Sequence, residues 1–357
     1  MELLNSKLYR SSLEGLCAGP ELDFLRGKTV LITGASGMLG SCLVDLLSVW
    51  NETQDNPCRI IAVSRNLDAA KRRFGPVWDM EWFSFRAQDV CEPLDGLPEH
   101  VDYIIHAASN ADPVSMAKYP VDTLMANVLG TKNLLDYGLA HGMKRFLFVS
   151  SGEVYGQPNA NMDDFTEDYC GPLDLSSPRT CYPEGKRAAE VLCQSYISQY
   201  GVDAVIAHPC HLFGPTMTGR DSRAVSEFLR RAAAGEDIAL KSAGALERSH
   251  CYVVDAVAAV LLVLRDGVRG EAYNIADRRY QMTIREFSEQ AAAAGGCRVV
   301  YQNPAELERA GYSRASRMVL DAAKIRALGW EPGDWGNEAI QKTVDILRQR
   351  NGICEHL

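Results

Sequence analysis

Thr29-Val30-Leu31-Ile32 runs straight into Thr33-Gly34-Ala35-Ser36-Gly37-Met38-Leu39-Gly40, and this stretch decides the fold. The apolar run predicts a buried strand, and the glycines after it predict a tight turn into a helix. Residues without a Cβ let the backbone approach a pyrophosphate, while the start of the following helix presents unpaired N–H groups to it. The spacing is GxxGxxG. Taken alone it also suits a tight strand-to-helix turn that holds no ligand.

Further along, apolar runs at 59–64, 82–86, 101–108, 145–151 and 204–207 are separated by helical patterns such as 122–141 and 182–200. This alternation predicts an α/β fold built on a doubly wound parallel sheet. Past Gly214-Pro215 the rhythm breaks. Helices expected at 222–235, 255–265 and 283–294, the last opened by the capping box Thr283-Ile284-Arg285-Glu286, predict a smaller C-terminal lobe. Residues 1–26 precede the first strand and read as a helical extension for packing or for contact between subunits.

Composition narrows the function classes. A chain of 357 residues, 46% hydrophobic and 23% charged, can bury a large core. A net charge of −9 without a Lys/Arg tract argues against a nucleic-acid partner, while leaving room for a local basic pocket. Eleven cysteines, an odd count with no CxxC pair, read as reduced thiols in a cytoplasm. The N-terminus lacks a basic stretch followed by an apolar one, and no apolar run approaches the ~18 residues of a membrane span, so no membrane partner is expected. His208 and His211 lack a carboxylate motif beside them, so no metal is expected either.

The chemistry lies in Tyr182-Pro183-Glu184-Gly185-Lys186. Four residues apart on a helix, Tyr182 and Lys186 share a face, and a nearby ammonium favours phenolate, which would make Tyr182 a general base. Pro183 suits only a first helical turn, so Tyr182 is expected at the helix start, facing a cleft. Ser151 ends the run 145–151, on the edge where open α/β sheets place ligands, and its hydroxyl could bind the same substrate oxygen.

With these come His106-Ala107-Ala108-Ser109, Asn127-Val128-Leu129-Gly130-Thr131, Ser150-Ser151-Gly152-Glu153-Val154-Tyr155-Gly156, Phe213-Gly214-Pro215, Asp321-Ala322-Ala323-Lys324 and Leu328-Gly329-Trp330-Glu331-Pro332. After residue 26 the chain resembles an extended short-chain dehydrogenase/reductase of the nucleotide-sugar epimerase/dehydratase/decarboxylase group. The resemblance implies a Rossmann-type domain over 27–210, joined by later strands near 250–276, and a substrate lobe over most of 211–357. It also implies a homodimer and a tightly held NAD. Tyr182 would take the proton of the sugar 4-hydroxyl as hydride leaves C4, giving a 4-keto sugar, with Ser151, Glu153 and Lys186 completing the catalytic set. Cofactor contacts are implied for Gly34, Ser36, Gly37, Met38, Leu39, Gly40, Ser64, Arg65, Asp89, Val90, Ala107, Ala108, Ser109, Asn127, Lys186 and His208. Substrate contacts are implied for Ser109, Glu153, His211, Arg223 and Arg248.

Within that group the pattern is similar to UDP-glucuronate decarboxylase (UDP-xylose synthase). The likeness rests on Glu167-Asp168-Tyr169, Ser177-Pro178-Arg179-Thr180-Cys181-Tyr182, Glu184-Gly185-Lys186-Arg187-Ala188-Ala189-Glu190, Arg223-Ala224-Val225-Ser226 and Arg248 shortly before Tyr252-Val253-Val254-Asp255. In that family the glutamate matching Glu153 helps the second half-reaction, and the arginine matching Arg248 binds near the diphosphate or carboxylate. Three positions depart from the pattern. Gly152 stands where decarboxylases place serine and 4,6-dehydratases aspartate, and Ala207-His208-Pro209-Cys210-His211 lacks the usual arginine and asparagine. Ser64-Arg65 replaces the acid that holds the NAD ribose; NAD remains the expected cofactor, and Arg65 could instead grip the 2′-phosphate of NADP. A 4-epimerase, a 4,6-dehydratase and a non-catalytic dinucleotide-binding protein remain the alternatives. Asp89 contacts adenine or merely caps a turn.

Overall fold

β1 (Thr29–Thr33) pairs in parallel with β2 (Arg59–Ser64) on one side and β4 (Tyr103–His106) on the other, Leu31 lying opposite both Ile61 and Ile104. The strands β3 (Phe83–Ala87), β5 (Arg145–Val149), β6 (Ala204–Pro209) and β10 (Ala272–Ile275) complete one sheet of order β10-β6-β5-β4-β1-β2-β3, every pairing parallel. The computed structural model describes residues 3–94, 96–159, 164–302, 317–333 and 338–352.

Side chains alternate between two cores. Val30, Ile32, Ile60, Ile105 and Leu147 pack into one, and Leu31, Ile61, Ile104, Phe146 and Phe148 into the other. A sheet buried on both faces needs an apolar residue at nearly every position, and so these strands read as uninterrupted runs. The first face is covered by α2 (Met38–Asn51), α8 (Val253–Asp266) and α1 (Lys7–Cys17), and the second by α5 (Pro120–Ala140) and α6 (Cys181–Tyr200). Shorter helices α3 (Leu67–Arg73) and α4 (Pro113–Lys118) lie between them in sequence. α1 packs on its own chain: Tyr9 is buried and donates to Asp45 of α2 at 2.8 Å, and Arg73 of α3 donates to the same carboxylate at 2.9 Å.

The expected strand 101–108 shortens to β4. Asp102 instead turns its carboxylate to the Thr29 N–H at 2.9 Å, and the Ala108 N–H leaves the ladder to donate to Thr33 Oγ1 at 3.2 Å. β5 stops at Val149, which leaves Ser150 and Ser151 beyond the sheet.

The chain past Gly214 contributes α7 (Ala224–Ala234) and α9 (Ile284–Gly295), with short strands between. β7 (His211–Phe213), β9 (Glu247–Tyr252), β11 (Asp277–Thr283) and β13 (Arg317–Met318) form a second sheet, and β8 (Ile238–Leu240) pairs with β12 (Val299–Tyr301). β7 and β9 run parallel, setting His211 opposite His250. The capping box is formed, with Glu286 N donating to Thr283 Oγ1 at 3.2 Å and Thr283 N to Glu286 Oε2 at 2.7 Å. Among the described residues no helix is long and apolar enough to cross a membrane.

Candidate active site

The strand order reverses between β1 and β4, and open α/β sheets form their ligand crevice at such a point. Gly34 lies there with φ +64°, and a Cβ on it would stand 2.5 Å from the Ala107 carbonyl oxygen. Only glycine fits both constraints. Gly37 precedes α2 with no side chain capping the helix, so Met38, Leu39 and Gly40 begin it with amides available to an anion. Gly40 lets the helix start fold onto the loop, since a Cβ there would meet the Gly34 oxygen at 2.3 Å.

Around this crevice Ser36 Oγ and Ser64 Oγ are 2.7 Å apart, and the exposed Arg65 donates to Asn110 at 3.2 Å. Two buried polar atoms, Ser109 Oγ shortly after β4 and Asn127 Oδ1 on α5, lack a hydrogen-bond partner among the described residues. The orphaned atoms, the glycine cradle and the uncapped helix fit a dinucleotide. The ribose end differs from the usual pattern, because the serine–arginine pair supplies no carboxylate there. Asp89 accepts from the Cys91 N–H at 2.9 Å and so caps a turn, and Val90 packs against Gly130, where a Cβ would lie 2.7 Å from its Cγ2.

His208, expected beside the cofactor, is tied by its ring to other side chains. Its ring is buried, with Nδ1 2.6 Å from the Tyr155 hydroxyl and Nε2 2.9 Å from Glu190. Both nitrogens are engaged, which leaves no polar group for a nicotinamide.

α6 opens at Cys181, places Pro183 in its first turn and turns Tyr182 inward, 7% exposed. The Tyr182 hydroxyl bonds to Ser151, and Ser151 Oγ also accepts from the Glu153 N–H at 3.2 Å to start a short 3-10 turn, Gly152–Tyr155. Ser151, Gly152, Glu153, Tyr182, His211 and Arg223 line a small cavity that Met318 and Leu320 close over. The expected low pKa at Tyr182 is corrected here, because burial outweighs the cations nearby. Burial, followed by the Glu153 charge, pushes the Tyr182 phenol up to about 12. Lys186 Nζ is 5.8 Å from the Tyr182 ring centroid, donates to the Val149 carbonyl at 2.7 Å, and is itself pushed by burial down to about 7.

Glu153 is clamped by Arg179, whose Nη2 donates to both carboxylate oxygens at 2.8 and 2.7 Å, each side chain being under one-fifth exposed. Arg248 of β9 bonds to His211 Nε2. Burial, then the Arg248 charge, holds His211 well below its ordinary value, so the neutral ring accepts from the guanidinium. Arg223 pairs with Asp221 at 2.6 Å and reaches Met38 Sδ at 3.6 Å, while Thr216 Oγ1 donates to the Met38 carbonyl at 2.9 Å. The lobe thereby grips the glycine-rich turn. Next to the small cavity opens a larger one of about 710 Å³, whose wall sets Arg179, Arg220, Arg223, Arg230, Arg248 and Lys241 against Glu153, Asp221 and Glu227. Six basic side chains against three acidic ones suit a diphosphate.

Reading by motif brought Ser151, Glu153, Tyr182, Lys186, His211, Arg223 and Arg248 to one place, but gave no role to Arg179 or Glu190. The signals were present, since Arg179 lies three residues before Tyr182 and Glu190 two helical turns after it.

Residues 30–276 match the family model described as "NAD dependent epimerase/dehydratase family". UDP-glucuronic acid decarboxylase 1 of Xenopus tropicalis is 32% identical over 339 residues, covering 92% of this chain and 75% of the relative. UDP-glucuronic acid decarboxylase 6 of Arabidopsis thaliana is 32% identical over 356 residues, covering 98% of this chain and 93% of the relative. The dTDP-glucose 4,6-dehydratase DesIV of Streptomyces venezuelae, solved with NAD bound, superposes with a TM-score of 0.76 at 25% identity, covering 91% of this chain and 98% of that one. The fold and crevice define a dinucleotide-binding enzyme of the extended short-chain dehydrogenase/reductase type. The chain belongs to the NAD-dependent epimerase/dehydratase family.

Proposed function

We propose that the protein is an NAD-dependent UDP-glucuronate decarboxylase. The observation that carries the reading is Glu153, clamped by Arg179 beside Tyr182 and opening onto the arginine-rich cavity. The diphosphate lies against Arg223 and its basic neighbours, and the sugar enters the small cavity with its 4-hydroxyl between Ser151 and Tyr182. Gly34, Gly37 and the start of α2 hold the cofactor pyrophosphate, with Ser109 and Asn127 facing the dinucleotide. NAD, when bound, takes a hydride from C4 and later returns one.

Ser151 orients the 4-hydroxyl, and Tyr182 receives its proton. The ketone formed at C4 is β to the C5 carboxylate, so carbon dioxide leaves once the bond is aligned, and the resulting enolate needs a proton at C5. Glu153 stands next to the tyrosine to relay that proton, and Arg179 and Arg248 supply the cationic grip that an anionic sugar needs. Loss of water would need an acid at the C6 hydroxyl. Gly152 offers none, and a Cβ at that position would meet Leu320 Cδ1 at 3.0 Å, so the wall there is apolar and occupied.

Val121 and Leu129 of α5 and Val191 and Tyr200 of α6 are exposed on the paired helices, and a second copy of this chain would cover them in a two-fold dimer. The described cysteines are all free, Cys170 exposed among them, which suits the cytoplasm.

The test is incubation of the purified protein with UDP-glucuronate and with neutral UDP-, dTDP-, GDP- and CDP-hexoses, with products followed by mass spectrometry. Loss of carbon dioxide from UDP-glucuronate is expected. An inert UDP-glucuronate alongside a hexose nucleotide that loses water would overturn the proposal, and a mass-neutral change at C4 would replace it with an epimerase.

A further inference from the structure

Tyr182, Lys186 and Glu190 stand at i, i+4 and i+8 on α6, so they share one inward face a turn apart. Lys186 is 2% exposed, bonded to the Val149 carbonyl and 4.7 Å from the Phe148 ring centroid. Neither contact brings a full negative charge. Glu190, one turn further on, does.

The carboxylate of Glu190 is held at the end of a directed hydrogen-bond chain. Asn274 Nδ2 donates to the carbonyls of Phe165 and Asp321, both at 2.9 Å, which fixes the amide with Oδ1 toward Tyr155. An amide oxygen only accepts, so the Tyr155 hydroxyl donates to it at 2.6 Å and can take a hydrogen only from the other side. His208 Nδ1, 2.6 Å from that hydroxyl, supplies it. One further proton then lies between His208 Nε2 and Glu190 Oε1, 2.9 Å apart, while Ser150 donates to the same carboxylate oxygen.

We propose that Glu190 is a positioning residue that keeps Lys186 in its ammonium form, its carboxylate held in place by His208 and Ser150. The role rests on the reading above, in which Tyr182 receives the proton of the sugar 4-hydroxyl, a transfer that an adjacent ammonium favours. Burial drives Lys186 toward the neutral amine, and Glu190 is the charge that opposes it. Burial also works to raise the Glu190 carboxyl, but His208, Ser150 and Lys186 outweigh it and hold it below the ordinary range. The other titratable groups around the pair are Tyr182 and Cys193 on α6 itself, His106 of β4, His208 of β6, and Tyr155 with Glu167 and Asp168 beyond it. His106, held to about 3 by burial and then by Lys186, is neutral.

The test follows Lys186 itself. In NAD-loaded protein with isotope-labelled lysine Nζ, the Lys186 NMR signal is assigned by its loss in Lys186→Met and titrated with pH. Glu190→Gln is expected to move the midpoint down by at least about one unit, and Glu190→Asp to restore part of it. His208→Gln frees Glu190 Oε1 from its 2.9 Å contact with the ring, leaving the carboxylate to Lys186, and is expected to move the midpoint up, which still decides the matter if Glu190→Gln does not fold. Unmoved midpoints, or shifts in the same direction for both, would leave Glu190 and His208 with a structural role only and overturn the proposal. In a second arm, the high-pH fall in UDP-glucuronate-driven cofactor reduction moves to lower pH in Glu190→Gln. If UDP-glucuronate reduces no cofactor even in the parent protein while the NMR shifts appear, the substrate reading fails and the role of Glu190 stands.

Discussion

Lys186 is an expensive residue for the fold to keep. Its value falls from 10.5 to about 7 because the ammonium is buried, so the folded chain pays for holding the charge. The folded pKa lies below the unfolded one. The cost is therefore full below pH 7 and fades as pH rises from about 7 toward 10.5. Lys186→Met is expected to abolish turnover and to compare more favourably with the parent in thermal stability at pH 6 than at pH 9, as read by calorimetry. A stability difference that is the same at pH 6 and pH 9 would contradict the burial argument. Tyr182→Phe is expected to lose at least ~10²-fold in turnover while still folding and binding cofactor, checked by steady-state kinetics and cofactor titration. Tyr182, Lys186 and Ser151 were legible from sequence because their meaning is local: a four-residue spacing and a strand end. The partners were not. Arg179 meets Glu153 across 26 residues and Glu190 meets His208 across 18, and no period in the sequence encodes which side chains a fold brings together.

Among the elements, β1, β2, β5 and the long helices α5 and α6 stood out because burial on both faces or on one helical stripe leaves a clear apolar record. The strands of the lobe did not. β7, β8 and β13 are two or three residues long, and partners far along the chain define them. The end of β2 is where sequence and family pattern part, with Ser64 bonded to Ser36 and Arg65 exposed. NAD(H) is expected to dominate the nucleotide extracted from the purified protein, measured by chromatography, because an enzyme that oxidises and re-reduces one sugar retains its nicotinamide. Extraction of mainly NADP would show that Arg65 reads a 2′-phosphate.

At the scale of the whole molecule, the exposed faces of α5 and α6 predict association. Val191 is 64% exposed on α6 and Val121 69% exposed on α5. Val191→Glu is expected to convert a dimer to a monomer in sedimentation velocity without lowering the cofactor content per chain. A parent protein that already sediments as a monomer at micromolar concentration would remove the dimer from the proposal.

The lobe does more than cover a sugar. Thr216 and Arg223, far along the chain, both close on Met38 at the root of the glycine-rich turn. In the proposed reaction the nicotinamide is oxidised and re-reduced within one cycle, and a lobe bonded to that turn suits a cofactor that stays in place between cycles. Output then follows the supply of sugar nucleotide. The ratio of oxidised to reduced nicotinamide in the cell, which governs ordinary dehydrogenases, has little hold on an enzyme that carries its own oxidant from one cycle to the next.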